Sequence, residues 1–401
     1  MKHRDHRELG QLLDLFSFHD IAPGAPFWHP KGMIVLRELE KDLRERLDKA
    51  GYLEISTPIM VKTELFKKSG HWDYYRENMF YFKNPADARE ELALKPMNCP
   101  ESTYVYNAAV RSYRDLPLRF SEFGRLHRNE RSGTLGGLFR VRQLTMDDAH
   151  IYCRPDQVQK EISAVLTLID DFYKRSGFAP RYLLSTRPEA ALGEKKIWEE
   201  AEKDLASALK ENKLSYKVKE KEGAFYGPKI DCQISDSQNR DWQLATVQLD
   251  MMMLPEKFDI GYIDERGKKQ KPYVIHRAIL GSFERFIGVL LEHTDGNLPL
   301  WLSPVQVTLV NVSGKQTDYC RGILAELKAA GIRAQCNEEN STLNKKIREA
   351  ETERIPYIAV VGEKEQKNKT VSLRSREEKE PKEMGTDRLI VLLTAAATAI
   401  K

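Results

Sequence analysis

Apolar residues recur three and four apart through residues 33–50, where Leu36, Leu39, Leu43 and Leu47 share one face of an expected surface helix. The same period returns over 156–176, with Ile162, Val165, Leu166, Ile169 and Phe172 in line, and 197–211 is a third helical segment. Between them lie segments of strand character at 78–83, 117–127, 138–153, 224–234, 240–251 and 258–263. Long strand runs flanked by helices, without strict strand–helix alternation, imply an α+β domain on an antiparallel sheet. Residues 295–304, punctuated by Gly and Pro, interrupt the pattern. Beyond them the grammar changes. Strand character at 305–312, 332–336, 357–361 and 371–376 alternates with helices expected at 318–330, 344–353 and 386–401. That alternation implies a smaller α/β domain on a mixed sheet, giving domains of 1–298 and 299–401.

A chain of 401 residues exceeds a usual single domain, which agrees with this division. Hydrophobic residues at 41% and charged residues at 31% supply a core and a soluble surface. No apolar run reaches the length of a membrane span, and the polar N-terminus lacks a signal region. The five cysteines (99, 153, 232, 320, 336) show neither ligand spacing nor a disulfide framework. A reducing, cytoplasmic setting without membrane attachment is the expectation. The net charge of +4 allows local basic patches but does not argue for nucleic acid.

Charge in one place suggests chemistry. Arg128 and Glu130 lie two apart, on one face of an expected strand. Arg140 follows a turn containing Gly133, Gly136 and Gly137. A hairpin so decorated suits a nucleotide, because guanidinium groups take phosphate oxygens and a carboxylate can accept from an exocyclic amine. A charged, solvated sheet face would carry the same residues, so both readings stand at this point.

Three ordered segments decide between them. They are residues 51–60 (Gly-Tyr-Leu-Glu-Ile-Ser-Thr-Pro-Ile-Met), 120–150, and 275–286 (Ile-His-Arg-Ala-Ile-Leu-Gly-Ser-Phe-Glu-Arg-Phe). Together they resemble motifs 1, 2 and 3 of the class II aminoacyl-tRNA synthetases. Lys95–Pro96–Met97–Asn98–Cys99–Pro100, residues 112–119, residues 224–229 and Thr246–Val247–Gln248–Leu249–Asp250 resemble the threonyl enzymes in particular. The likeness runs from about Arg4 to the C-terminus and includes the family's anticodon-binding domain.

The resemblance implies a threonine–tRNA ligase that activates L-threonine with ATP and passes it to tRNA(Thr). It implies that Arg128 holds the α-phosphate and the substrate carboxylate, that Arg140 and Arg285 hold the outer phosphates, and that Glu130 reads the adenine amine. Gln243 and Thr246 would flank ribose and base, Lys229 would add positive charge, and Mg2+ would accompany ATP. Such a reaction needs positioning and charge stabilisation more than proton transfer. Cys99, His150 and His276 would bind one Zn2+ per chain; spacing alone does not name them, and a buried Cys with two core histidines is the plainer reading. Zinc would separate threonine from valine, which an apolar pocket distinguishes only ~10²-fold. Asp148 would accept the substrate hydroxyl, while Tyr226, Gln248 and Met97 would line the amino-acid site. His71 matches a position linked to transfer onto tRNA. Asn340, Arg348, Glu365 and Arg374 match positions that contact anticodon bases, and segment 51–60 implies a homodimer.

Four departures accompany the likeness. Met146 stands where many threonyl enzymes have Gln, and Glu101 where Gly is usual. Glu339–Asn340–Ser341–Thr342 replaces a more basic stretch. The two domains that precede the core in full-length bacterial enzymes, one of which hydrolyses seryl-tRNA, have no counterpart, so a shortened chain and a naturally short enzyme are both open. A synthetase of altered amino-acid preference and a non-catalytic, synthetase-like binding protein are the alternative functions. The second should have lost motif arginines or metal ligands, and this sequence retains all six.

Overall fold

The computed structural model describes residues 4–378 and 380–398. The chain forms two compact units, one from Phe18–Pro26 with Leu43–Val289, the other from Met1–Ser17 and Phe27–Asp42 with Leu290–Lys401.

An eight-stranded sheet organises the larger unit. Its strands in chain order are β1 (Leu53–Glu54), β2 (Leu118–His127), β3 (Gln143–Cys153), β4 (Arg181–Ser185), β5 (Tyr216–Lys219), β6 (Lys229–Ser235), β7 (Asp241–Asp250) and β8 (Tyr273–Ala278). They lie in the order β5-β4-β6-β7-β8-β3-β2-β1. The pairs from β4 through β2 are antiparallel, and the two outermost strands join in parallel. The antiparallel sheet is thus as expected, with parallel edges that the pattern did not reveal.

Strand 138–153 begins later than expected, at Gln143, because 132–134 forms a 3-10 turn and the chain stays irregular to residue 142. Strand 224–234 begins at Lys229, since Ala224 and Gly227 close a tight turn with mutual backbone hydrogen bonds of 3.1 and 3.3 Å. Segment 258–263 shrinks to Tyr262–Ile263, with Phe258 closing a short helix, Met253–Lys257. Phe80–Asn84 forms a separate three-stranded sheet with Met60–Lys62 and Asp87–Leu94.

Alternation along the strands gives the sheet two chemically different faces. The helix Val158–Arg175 packs against β7 and β8. Its Ile162, Val165, Leu166, Ile169 and Phe172 are buried, as their spacing predicts. Asp147 and Arg277 meet on strand positions of this helix-covered parity, fully buried, with Nη1 2.6 Å from Oδ1. Asp147 Oδ2 also accepts from the amides of Ile279 and Leu280 at 2.7 and 3.0 Å. These bonds satisfy the carboxylate and fix the chain just ahead of Arg285. Removing either partner would strand a buried charge, at a cost of about 3–5 kcal/mol.

The second unit contains β9 (Val307–Asn311), β10 (Ala334–Asn337), β11 (Tyr357–Val361), β12 (Thr370–Ser375) and β13 (Lys382–Gly385). Their order is β10-β9-β11-β12-β13, parallel among the first three and antiparallel thereafter. This is the mixed sheet expected. The helices Thr317–Ala329, Leu343–Thr352 and Thr386–Thr398 accompany it, and residues 399–401 of the last expected helix lie outside the described residues. Its core gathers Val307, Leu309, Ile323, Leu327, Val371 and Leu389. No helix among the described residues is long and apolar enough to cross a membrane.

Candidate active site

The uncovered parity of the central strands carries the chemistry. Antiparallel partners project to the same side. His150 on β3 is paired with His276 on β8, His276 with Gln248 on β7, and Gln248 with Lys229 on β6. Two-residue steps along the same strands add Asp148, Thr246 and Asp250, and Thr246 is paired with Asp231. Residues scattered over more than a hundred positions thereby share one surface.

Cys99 completes a metal-like group. It opens the helix Cys99–Asn107, with Pro100 at the second helical position, where a missing amide hydrogen costs nothing. One ligand atom each of Cys99, His150 and His276 lies within 4.8 Å of the others, and all three residues are buried. His150 Nε2 has no hydrogen-bond partner. Burial drives the Cys99 thiol well above its ordinary value and His150 well below. A cation would reverse both penalties, and one sulfur with two imidazoles is a donor set that fits zinc. Asp250 Oδ2 lies 3.4 Å from His276 Nε2 while accepting the Leu254 amide at 3.0 Å. A carboxylate on one ring nitrogen orients the other toward a ligand. Asp5, His6 and Glu292 meet the same distance test, but His6 Nδ1 is already bonded to Glu292 Oε1 at 2.6 Å.

Around this group stand the expected amino-acid contacts. Asn98 Nδ2 donates to Asp148 Oδ2 at 3.1 Å. Burial raises the Asp148 carboxyl to about 6. A Cβ on Gly124 would come within 2.1 Å of Asn98 Oδ1, so glycine there keeps the amide in place. Tyr226 donates its hydroxyl to Gln248 Oε1 at 3.1 Å, and its ring lies 5.9 Å from that of His276. Met97 is half-buried against the apolar clusters that contain Cys99 and Phe66. His71 is buried with Nδ1 2.8 Å from Ser69 Oγ; burial and the nearby His276 push it down to about 4.

The arginines gather at the other expected subsite. The expected hairpin forms, β2 pairing antiparallel with β3, but Arg128 and Glu130 lie beyond the end of β2 and do not share a strand face, which corrects their expected placement. The loop still joins them: Glu130 Oε2 accepts from Arg140 Nε at 2.8 Å, and Arg128 Nε donates to the Pro96 carbonyl at 3.2 Å. Arg285 Nε donates to the Phe139 carbonyl at 2.9 Å. Burial lowers the Arg285 guanidinium, and Arg128 and Arg140 lower it further by repulsion. Three cations close enough to repel, with Glu130 opposing them, make a site suited to a polyanion.

Sequence reasoning missed two organisers of this surface. Asp231 accepts from Gln243 Nε2 at 2.5 Å, lies 2.8 Å from Lys229 Nζ, and is 3.4 Å from Thr246 Oγ1. It thus collects three of the expected contact residues, and its place two residues after Lys229 was the available signal. The second is a buried network beneath Arg128. Lys95 Nζ donates to Glu122 Oε1 at 2.8 Å and to Thr57 Oγ1 at 2.7 Å, while Glu122 accepts the Thr57 amide at 2.8 Å. It locks residue 57 and the Lys95–Cys99 segment to β2. Glu101 is also buried, with both carboxylate oxygens unpartnered and the acid pushed up to about 8 by burial. Nothing in the structure explains glutamate at this position.

Residues 80–294 match the model of the tRNA synthetase class II core domain (G, H, P, S and T), and residues 306–395 match that of an anticodon binding domain. The solved RNA binding domain of threonyl-tRNA synthetase from Cryptosporidium parvum Iowa II superposes with a TM-score of 0.93 at 40% identity, covering 98% of each chain. The chain belongs to the threonyl-tRNA synthetase family. Among curated relatives, a threonine–tRNA ligase of Clostridium kluyveri is 49% identical over 392 residues, which is 98% of this chain and 61% of the relative. Threonine–tRNA ligase 2 of Bacillus subtilis is 50% identical over 371 residues, covering 92% and 58%. The chain spans about three-fifths of the length of these relatives. Its two folds are therefore the class II synthetase core and the anticodon-binding domain.

Proposed function

We propose that the chain is the catalytic and anticodon-reading part of a threonine–tRNA ligase, which forms threonyl-adenylate from L-threonine and ATP and transfers the threonyl group to tRNA(Thr). The observation that carries this is the convergence of Cys99, His150 and His276, beside Asp148, on the sheet face that also bears Gln248 and Lys229. Cys99, His150 and His276 hold one zinc ion per chain. Bound there, zinc supplies a Lewis-acid position for the amino group and hydroxyl of threonine, and valine lacks the second of these donors.

The chain's own groups do the rest. Asp148, oriented by Asn98, accepts the hydroxyl proton of threonine. Tyr226 and Gln248 bound the amino-acid site, with Met97 at its floor. Arg128 holds the α-phosphate and the threonine carboxylate, bringing the attacking oxygen to phosphorus. Arg140 and Arg285 hold the outer phosphates, together with Mg2+, and stabilise the departing pyrophosphate. Glu130 takes the adenine amine, with Gln243 and Thr246 near ribose and base. Lys229 adds charge where it develops on phosphorus. His71 serves transfer to tRNA. Asn340, Arg348, Glu365 and Arg374 read the anticodon. Domains of 1–298 and 299–401, a homodimer through segment 51–60, and a cytoplasmic setting complete the proposal.

Pyrophosphate exchange driven separately by each of the twenty amino acids tests it, with metal content measured on the same preparation. Threonine should drive exchange, serine weakly and valine hardly at all. Exchange driven best by another amino acid would overturn the assignment.

A further inference from the structure

The fold of the second unit brings one further pair of reactive side chains together. Cys320 lies on the helix Thr317–Ala329, and Cys336 on β10, the edge strand against which that helix packs. Both thiols are free, and Cys336, paired with Leu309 of β9, packs against the same core cluster that contains Cys320 and Leu309. Cys320 is fully buried in the apolar core, whereas Cys336 is only partly covered. The contact with Cys320 holds the Cys336 thiol below its ordinary value; Lys346 and Arg321 act in the same direction, opposed by burial and Glu338. The same contact and burial push Cys320 upward. An accessible thiol of lowered pKa with a second thiol behind it is the arrangement of a redox-responsive pair. Cys153 and Cys232 of the larger unit are buried singly and driven upward by burial, so they should stay inert.

We propose that Cys336 and Cys320 form a reversible disulfide when the protein meets hydrogen peroxide. The Cys336 thiolate attacks one peroxide oxygen and the O–O bond breaks. Cys336 becomes a sulfenic acid, and the departing hydroxide takes a proton to become water. The Cys320 sulfur then attacks the Cys336 sulfur, expelling a second hydroxide that leaves as water with the Cys320 proton. Two thiols are oxidised to one disulfide, and one peroxide is reduced to two waters. A small-molecule dithiol restores both thiols. β10 leads directly into the segment that carries Asn340, and the Asn337 carbonyl is held by Lys346 Nζ at 3.2 Å from the helix that carries Arg348. The cross-link therefore acts on the elements assigned to anticodon reading, a consequence that rests on that assignment.

The test treats the zinc-loaded protein with a small excess of hydrogen peroxide and follows intact mass, peptide linkage and activity. The expected result is loss of two hydrogens, a linked peptide pair containing Cys320 and Cys336, and full reversal by dithiothreitol. Cys336→Ser and Cys320→Ala should each abolish the link, and the wild-type peptide map decides the chemistry even if the buried Cys320 variant folds poorly. Oxygen accumulating on Cys336 without a link, or two free thiols in folded, treated protein, would overturn the proposal. Oxidation should lower tRNA charging several-fold while threonine-driven exchange persists. A mapped link with unchanged charging would overturn the regulatory part. Absence of exchange in the reduced protein would instead remove the functional assignment and leave the thiol chemistry intact.

Discussion

His150 and His276 are direct cross-strand partners on β3 and β8, with ring centroids 4.9 Å apart and planes at 85°. Burial depresses the His150 imidazole well below its ordinary value, and the charge of the neighbouring His276 depresses it further. His150 is thereby kept neutral, the form that binds a divalent ion, with one ligand atom each of Cys99, His150 and His276 within 4.8 Å of the others.

Elemental analysis of the purified protein should therefore find about one zinc per chain, with ligand distances of ~2.0–2.3 Å by X-ray absorption. Cys99→Ser should lose zinc and threonine activation together. Full activation by the zinc-free protein would remove the metal from the mechanism.

Asp231 offers a test of the nucleotide side. It holds Lys229 and Gln243 from one carboxylate, at 2.8 and 2.5 Å. Losing charge-assisted bonds of this kind costs about 1.5–3 kcal/mol. Asp231→Asn should lower kcat/KM for ATP by about 10- to 100-fold with little change in zinc content. Steady-state exchange kinetics at varied ATP would show it, and an unaltered ATP dependence would demote Asp231 to a structural residue.

What was legible in the sequence, and what was not, follows from the range of the signal. Val158–Arg175 declared itself because a buried stripe at helical period is local information. The β10–β9–β11 alternation likewise followed from short apolar runs separated by helices. Arg128 and Glu130 were placed on a strand because period two continues past His127 on paper; the turn at 132–134 ends the ladder first. Strand register and the helix-start position of Cys99 bring Cys99, His150 and His276 together, so no spacing rule finds this candidate metal group, and only the family likeness named its members. Glu122 and Lys95 escaped because the residues they bind are distant in sequence, and Asp231 because Gln243 and Thr246 reach it only through the pairing of β6 with β7.

Glu284 gives a pH signature. It is buried and accepts the Thr145 amide on both oxygens, at 3.1 and 3.0 Å, yet burial raises its acid to about 7 from an ordinary 4.5. Between those values the folded chain keeps a proton that the unfolded chain releases, so stability falls as pH rises through that window and levels off above it. Glu284→Gln keeps an acceptor for Thr145 without the charge. Its gain in stability over the parent should be small at pH 5 and larger at pH 8, on the order of 1–3 kcal/mol. Thermal unfolding at the two pH values measures the difference; an equal gap at both would exclude Glu284 as the source.

The last prediction concerns the attraction for tRNA. Residues 301–401 contain 17 Lys and Arg against 14 Asp and Glu, so little net positive charge is available. The structure removes part of that charge from service. Lys346 is buried, with its ammonium on Asn311 Oδ1 at 2.6 Å, and Lys345 lies 3.4 Å from Glu349. Glu339, beside the exposed Asn340 of the proposed anticodon contacts, adds a negative charge that lies 3.8 Å from Lys345 Nζ. Each phosphate contact steepens the dependence of binding on salt, so few free cations mean a shallow slope and weak backbone affinity. Base contacts can survive that loss, because they need shape and hydrogen bonds more than charge. Arg348 is exposed on its helix and Arg374 stands on β12, directly paired with Ile358. Arg374→Ala should reduce discrimination between parent and anticodon-mutant tRNAs more than it reduces adenylate formation. Ser341→Lys should lower the KM for tRNA and steepen its salt dependence, leaving pyrophosphate exchange unchanged. Aminoacylation across a salt series, with parent and anticodon-mutant tRNA, reads both effects. Equal charging of the two tRNAs by the unmodified protein would show that this domain does not read the anticodon, and would confine the proposed function to the catalytic unit.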